Sequence, residues 1–259
     1  MKFFIVVFLI ACCASCARPE NQEECCEDSS ALESENNQLE ESQEQDAAEK
    51  KVKADSVLLM NSLVDVQTID PTIQVELKYT TKDNFMKRVL YHNIQHAYLQ
   101  QDVAERLALC QQDLKAIHPN YSLLIYDAVR PVSVQQAMWN ALDTIPVHER
   151  GKFVSNPRNK SMHNYGAAVD ITIVDENGKP LDMGAGYDDI RKIAYPSMEW
   201  KYIASGELTE EHIENRKLLR KILTGRGFRN IPTEWWHFNA CSKESAARKY
   251  AILLTEPNY

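Results

Sequence analysis

Two pairs of residues in the chain have the types and spacing of a catalytic metal site. His163 is followed by Asp170 seven residues later, and Glu234 is followed by His237 three residues later. Two imidazole nitrogens and one carboxylate oxygen suit zinc, and three protein ligands leave a fourth position for water, as in catalytic zinc sites. Zinc-bound water loses a proton near neutral pH, and Glu234 is a candidate to accept that proton.

The spacing of these residues permits one metal site but does not establish it. Side chains alternate along a strand, so Glu234 and His237 would lie on opposite faces unless a bulge, a bend or a strand end intervenes. Gly166 would let His163 lie on a loop before a strand that carries Asp170. Each pair taken alone is more often structural than catalytic.

Other side chains that could do chemistry fit structural roles when taken singly. Arg130, at the end of an apolar segment, has the position of an ion-pair partner, and Trp235 and Trp236 are more often core or cleft wall. Five further histidines lie in ordinary polar contexts and are interpreted as surface or core residues: His92, His96, His118, His148 and His212.

Hydrophobic periodicity predicts the elements that must position these residues. Apolar runs predict strands over residues 64–78 (two short runs broken at Asp70-Pro71), 121–126, 166–174 and 232–238. Helical spacing predicts helices over residues 97–118, 133–142 and 209–224. Asn177-Gly178 marks a hairpin turn. Strands and helices are mixed without strict alternation, so the predicted fold class is α+β.

Length and composition favour one catalytic domain preceded by an acidic region. The 259 residues are 44% hydrophobic, which supports a substantial core, and the net charge of −8 gives no electrostatic footprint for nucleic acid. Residues 19–49 contain twelve Asp or Glu and no Lys or Arg. We therefore predict a disordered acidic tether over residues 17–55 and a catalytic domain over residues 56–259. A solvated helix within residues 34–53 is the alternative for part of the tether.

The start of the chain has the pattern of an export signal. Lys2 precedes an apolar run over residues 3–11 that is too short to span a bilayer. The sequence ending at Cys12 resembles the lipobox of bacterial lipoproteins, whereas the frame ending at Cys16 lacks the usual apolar residue; an ordinary cleaved signal is the alternative. We predict a signal peptide over residues 1–16 and an exported, periplasmic or cell-envelope lipoprotein anchored to the membrane through lipidated Cys12.

Cysteine usage predicts no disulfide framework. Five of the seven cysteines lie within the first 26 residues, which leaves Cys110 and Cys241 in the predicted domain. These two would pair if they were adjacent, and buried free thiols are the alternative.

Five segments of the chain match, in order, the motifs of one protein family. They are residues 76–85, 123–131 (ending Asp-Ala-Val-Arg-Pro), 161–170 (Ser-x-His-x-x-Gly-x-Ala-x-Asp), 183–188 (Met-Gly-Ala-Gly-Tyr-Asp) and 216–237 (ending Glu-x-x-His). The chain thus resembles the D-alanyl-D-alanine dipeptidases. They are a branch of the zinc D-Ala-D-Ala peptidases, a superfamily that also includes D,D-carboxypeptidases and phage endolysins. The resemblance spans roughly residues 64–238.

The resemblance implies a fold, a substrate and a role for each matching residue. It implies an antiparallel sheet with helices packed against it, and a cleft with one Zn²⁺ per chain that binds a small D,D-dipeptide. The implied zinc ligands are His163, Asp170 and His237. Glu234 would act as the base and then as the acid, Arg130 would stabilise the transition state, and the Ser161 hydroxyl would bind substrate.

Two departures from the family pattern bear on substrate selectivity, and two other functions share its features. Ala128-Val129 stand where the family often has Gly-Tyr, and residues 86–88 stand where Thr-Gly is frequent. The same metal site would serve a D,D-carboxypeptidase or endopeptidase acting on peptidoglycan stem peptides. A non-catalytic lipoprotein that binds cell-wall peptide is the alternative of another class, and Glu234 argues against it because binding needs no base. No protein partner is implied.

Overall fold

The computed structural model describes residues 62–257, together with four positions between residues 42 and 50 that are helical and exposed. The predicted signal peptide, Cys12 and most of the predicted tether lie outside the described residues and stay predictions. The elements given below belong to one compact unit. In the part of the chain that is described, no helix is long and apolar enough to cross a membrane.

The described residues form two sheets. The strands are β1 (Val64–Asp65), β2 (Gln74–Val75), β3 (Tyr98–Leu99), β4 (Ser122–Asp127), β5 (Ala168–Val174), β6 (Arg229–Ile231) and β7 (Glu234–Asn239). β1 pairs with β3, and the main sheet has the order β2-β4-β5-β7-β6. Its strands are antiparallel neighbours, except that β2 runs parallel to β4. The mixed α+β class is confirmed. The expectation of an antiparallel sheet is wrong at this edge, because a long helical crossover brings the chain back in the direction of β2.

Helices fill the connections between these strands. They are α1 (Val66–Ile69), α2 (Gln101–Ile117), α3 (Val132–Ala141), α4 (Glu199–Ala204), α5 (Glu210–Gly225) and α6 (Lys243–Lys249). Short 3-10 helices lie at Lys78–Thr80, Arg150–Lys152, Pro157–Asn159, Met162–Tyr165, Lys192–Ala194 and Pro196–Met198.

α2 and α5 form a layer on one side of the main sheet. α2 contacts both β4 and α5, and its buried residues Val103, Leu107 and Leu114 recur at helical spacing within the main core cluster. Ile171 of β5 belongs to the same cluster. Side chains alternate along a strand, so the neighbouring Asp170 faces the other side of the sheet, away from this helical layer.

Most predicted elements are present within a few residues of their expected bounds, and two predictions are wrong. Over residues 64–78 the two predicted strands shrink to two residues each, because the Asp65 carboxylate accepts the Gln67 N–H and caps α1 between them. The helix predicted over residues 97–118 begins only at Gln101, since β3 pairs with β1 instead. The short elements α4, α6 and β6 were not predicted from periodicity.

The two cysteines in the described part of the domain are free. Cys110 is fully buried in α2, and burial raises the pKa of its thiol to about 12. A thiol in this state is unreactive at neutral pH, because the thiolate is the nucleophile. Cys241 is partly exposed. Within residues 62–257 both thiols are free, and only that of Cys110 is buried, as the alternative expected.

Candidate metal centre

His163 and Asp170 reach the same site because a tight turn precedes the strand between them. His163 lies in the 3-10 helix Met162–Tyr165, where the Ser161 hydroxyl oxygen accepts the His163 backbone N–H. Gly166 ends this turn with φ +62°, a left-handed conformation that favours glycine. A Cβ atom there would also lie 3.1 Å from the Leu63 side chain. The predicted arrangement, His163 before the strand and Asp170 on it, is the one observed.

Glu234 and His237 reach the same side of the sheet because the pairing of β6 with β7 is irregular. Asp170 is the direct cross-strand partner of His237. The β6–β7 register shifts between Asn230 and Ile231, where the Asn230 side chain donates to the backbone oxygens of Glu234 and His237. The Glu234 carboxylate is 3.9 Å from His237 Nδ1. This local bulge supplies the break in alternation that the spacing requires.

The three candidate ligand atoms converge on one point. His163 Nε2 lies 3.1 Å from His237 Nδ1 and 3.3 Å from Asp170 Oδ1, and His237 Nδ1 lies 2.9 Å from the same carboxylate oxygen. Metal–ligand distances of about 2.0–2.1 Å in a tetrahedral site place ligand atoms roughly 3.3 Å apart. The residues are buried, with exposures of 2% for His163, 3% for Asp170 and 8% for His237. A tetrahedral cation therefore fits this triangle after shifts of a few tenths of an ångström.

Hydrogen bonds fix which nitrogen of each histidine faces the centre. His163 Nδ1 lies 2.7 Å from the backbone oxygen of Ala128, and His237 Nε2 lies 2.9 Å from the Asn239 side-chain oxygen. Both acceptors have lone pairs only, so these nitrogens carry the protons and donate them. When both imidazoles are neutral, the opposite nitrogens present lone pairs to each other and to Asp170. Three electron-rich atoms this close favour a positive charge between them, either a metal ion or the proton of His237, and oriented histidines of this kind are typical of metal ligands.

Arg130 lies beside the triad and is held by a buried carboxylate. Its guanidinium donates to Asp127 through Nε at 2.9 Å and through Nη2, and Nη2 lies 3.5 Å from Asp170 Oδ2. Asp127 is fully buried and also accepts the Tyr91 hydroxyl at 2.6 Å. The guanidinium stacks over the Tyr79 ring at 5.2 Å. These contacts leave Nη1 without a hydrogen bond among residues 62–257, so it can donate to a substrate oxygen in the cleft.

Four residues to which the sequence analysis gave no role complete the site. Tyr187 donates its hydroxyl to Asp170 Oδ2 at 3.1 Å, and Tyr79 donates to Asp188 at 3.1 Å. Asp188 lines the cleft and has a left-handed backbone with φ +60°, an uncommon conformation for aspartate that is often found at functional sites. The motif at residues 183–188 was the available sequence signal for Tyr187 and Asp188, but it served only to show the resemblance to the family. Asn239, the partner of His237, gave no signal in the sequence.

The cleft above the triad has a volume of about 310 Å³. Ser161, one of the predicted site residues, lines it, and its hydroxyl oxygen is also the cap of the turn that carries His163. Trp236 forms part of the cleft wall, which is one of the two structural roles predicted for the tryptophan pair. Protein pockets for small ligands range from about 300 to 1,000 Å³, so this volume suits a small substrate.

Burial changes the protonation of the carboxylates in the cleft. It raises the pKa of Glu234 above its usual range. Burial and the charge of Asp170 together raise the pKa of Asp188 well above its usual range. Burial opposes the charging of His237, but the hydrogen bond and the charge of Asp170 outweigh it and raise the pKa of that imidazole to about 9. Despite its burial, the adjacent histidines hold the pKa of Asp170 well below its usual range.

We expect metal binding to release about one proton at neutral pH and to weaken as the pH falls. With a pKa of about 9, His237 is protonated at pH 7 before the metal binds, whereas Asp170 is already ionised. The metal needs the neutral imidazole, so affinity should drop about tenfold for each pH unit below 9 until other groups titrate. Calorimetry of Zn²⁺ binding in two buffers of different ionisation enthalpy measures the proton count. An affinity that is constant between pH 6 and pH 8, without proton release, would contradict the assignment.

Comparison with known proteins agrees with this geometry. The model of the Peptidase M15 family, described as D-ala-D-ala dipeptidase, matches residues 60–253. The chain is 34% identical over 176 residues to a D-alanyl-D-alanine dipeptidase of Escherichia coli (strain K12), covering 68% of this chain and 83% of that protein. It is 30% identical to a D-alanyl-D-alanine dipeptidase of Synechocystis, covering 54% and 68%, and 28% identical to one of Enterococcus faecalis, covering 64% and 85%. A buried triad with a carboxylate beside it, in a chain that matches over most of its length, shows that this protein is a peptidase belonging to the D-Ala-D-Ala dipeptidase family.

Proposed function

We propose that this protein is a zinc-dependent dipeptidase that hydrolyses D-alanyl-D-alanine. The observation that carries the proposal is the convergence of His163, Asp170 and His237 within 4.8 Å, with the carboxylate of Glu234 beside them, in a chain of the D-Ala-D-Ala dipeptidase family. Two nitrogens and one oxygen in a tetrahedral triangle favour Zn²⁺ over Mg²⁺ or Ca²⁺, which prefer six or more oxygens. A zinc ion held here would polarise the scissile carbonyl and acidify water.

Glu234 would move the proton from water to the leaving amine. Its carboxylate lies at the start of β7, on the cleft side of the triad and 3.9 Å from a ligand nitrogen. A pKa raised by burial brings the carboxyl closer to neutral pH, which suits a group that must first accept a proton and then give it up. Arg130 lines the cleft, and its unbonded Nη1 would donate to the oxyanion that develops on the scissile carbonyl.

Asp188 favours a free dipeptide over a longer stem peptide. A dipeptide carries an ammonium group close to its scissile carbonyl, and the half-buried Asp188 lines the same cleft, where a bound ammonium group would favour its ionised form and pair with it. An acylated amine is neutral and cannot form this ion pair, so the longer peptide would lose the contact. The phenylalanines Phe85 and Phe153 lie with Asp188 around a small adjoining cavity of about 40 Å³, which leaves little room for residues beyond the amine.

The decisive experiment compares three substrates on the zinc-loaded full chain. We expect hydrolysis of D-alanyl-D-alanine, and at least a hundredfold lower kcat/KM for its N-acetyl derivative and for an N-acylated pentapeptide, since both lack the ammonium group. Release of D-alanine from the pentapeptide alone would favour the D,D-carboxypeptidase alternative. Binding of all three without hydrolysis would favour the peptide-binding lipoprotein.

A further inference from the structure

The metal cleft has a cationic end that the proposed mechanism does not use. Lys160 and Lys243 line it, and neither ammonium group lies within 4.0 Å of a carboxylate in residues 62–257. Lys160 is half-buried, whereas Lys243 is exposed at the rim. Unpaired lysines are common on open surfaces, but a half-buried one in a substrate cleft is available to bind an anion.

The course of β7 separates these lysines from Asp188, the residue proposed to bind the ammonium group. Along β7 the chain passes from Glu234 through His237 to Asn239 and then enters α6, which begins at Lys243. The turn that follows Lys160 packs against α6, because Met162 and Tyr165 share a buried cluster with Ala246. Asp188 and Glu234 instead share the small cavity at the other end. The cleft is thus acidic on one side of the metal centre and basic on the other.

The backbone of Lys160 is held in an unusual conformation. It has φ +59° and ψ 143°, which side chains other than glycine rarely adopt, and it directly follows the 3-10 helix Pro157–Asn159. Its N–H bonds the Pro157 carbonyl at 3.2 Å, which keeps the residue at this point of the turn. A strained non-glycine residue beside a catalytic centre is a reason to look for function.

We infer that Lys160 binds the C-terminal carboxylate of the dipeptide, with the Ser161 hydroxyl as a second donor; this rests on the proposed function. The substrate's ammonium and carboxylate groups lie on opposite sides of its scissile bond, as do the acidic and basic ends of the cleft. Arg130 is a poor anchor for this carboxylate, because Asp127 already neutralises it. The Ser161 oxygen accepts the His163 N–H, which leaves the hydroxyl proton free to donate. Lys160 therefore makes the site specific for peptides that end at the residue after the cleaved bond.

The test compares Lys160→Met with the parent on D-alanyl-D-alanine and on D-alanyl-D-alaninamide, whose C-terminus is neutral. We expect the variant to raise KM for the dipeptide by roughly 10- to 100-fold with kcat changed less than about threefold, as for loss of a charge-assisted hydrogen bond. On the amide, parent and variant should have the same kcat/KM. Lys160→Arg should restore most of the affinity, and the midpoint of thermal unfolding should not change, since the ammonium has no ion-pair partner to lose.

Lys221→Met is the matched control, because Lys221 is an exposed lysine of α5 that does not line the cleft. An unchanged KM for the dipeptide in Lys160→Met would overturn the inference. An equal loss of kcat/KM on the dipeptide and on the amide would also overturn it, because that result would indicate a general distortion of the turn. A rise in KM for the dipeptide in Lys243→Met but not in Lys160→Met would overturn it as well. A parent enzyme that hydrolyses neither substrate would instead refute the proposed function.

Discussion

Replacing Glu234 with glutamine is expected to lower kcat for D-alanyl-D-alanine by about 10²–10⁴-fold while the metal stays bound. Glutamine has the shape of glutamate but can neither accept the proton of the attacking water nor deliver it to the leaving amine. The three ligand atoms belong to His163, Asp170 and His237, and Glu234 is outside that set. The variant should therefore bind Zn²⁺ in one-to-one stoichiometry and bind the dipeptide with nearly the affinity of the parent.

Stopped or steady-state assays of D-alanine release, together with metal analysis of the purified variant, check this prediction. Glu176→Gln makes the same chemical change at an exposed turn and should retain full activity. If Glu234→Gln kept more than about a tenth of the parent kcat, proton transfer would have to be assigned elsewhere. If it lost the metal as well, Glu234 would be acting as a ligand rather than as a base.

The central strands and long helices could be predicted because their own residues decide them. All side chains of β4 and β5 are buried, so these strands are mostly apolar in the sequence. α2 shows its buried face at helical spacing, and the Thr209 hydroxyl caps α5 at the predicted start. β1 and β2 could not be predicted in the same way. They have two residues each and depend on partners far along the chain.

The candidate site could likewise be predicted from the sequence only in part. Its histidines and carboxylates were identifiable as types in a motif, but nothing in their spacing brought Glu234 to the cleft side. That placement depends on the register shift at Asn230, which arises from the pairing of β6 with β7. Asn239 and Asp188 act through contacts with His237 and Tyr79, whose positions are set by the folded chain. Long-range pairing of this kind is not readable from a local pattern.

The basic end of the cleft illustrates a further limit of motif reading. Lys160 directly precedes Ser161 in the sequence, but only the structure shows that it shares a cleft with Lys243 and that neither has a carboxylate partner in residues 62–257. A motif assigns roles to matching positions, and Lys160 lies one position before the matching segment. Selectivity for a free C-terminus would thus be a property of this chain's own residues.

Loss of the Asp127 charge should lower the stability of the domain substantially. Asp127→Asn would keep the size of the side chain but remove the charge that balances the largely buried guanidinium of Arg130, whose side chain is 11% exposed. Breaking a buried ion pair by removing one partner costs about 3–5 kcal/mol, because the remaining charge stays desolvated. The Tyr91 hydroxyl would lose the charged acceptor that it bonds at 2.6 Å. We therefore expect the free energy of unfolding to fall by about this amount, with a lower kcat as Arg130 shifts.

Urea unfolding of the variant and the parent, both saturated with Zn²⁺, measures the difference. Asp143→Asn, at an exposed position, is the matched control and should change stability by less than about 0.5 kcal/mol. The double variant Asp127→Asn/Arg130→Met removes both charges, so it should recover part of the lost stability but none of the activity, because Nη1 of Arg130 is gone. Equal stability of Asp127→Asn and the parent would mean that hydration, rather than the charge of Asp127, stabilises the guanidinium of Arg130. Recovery of activity in the double variant would remove Arg130 from the mechanism.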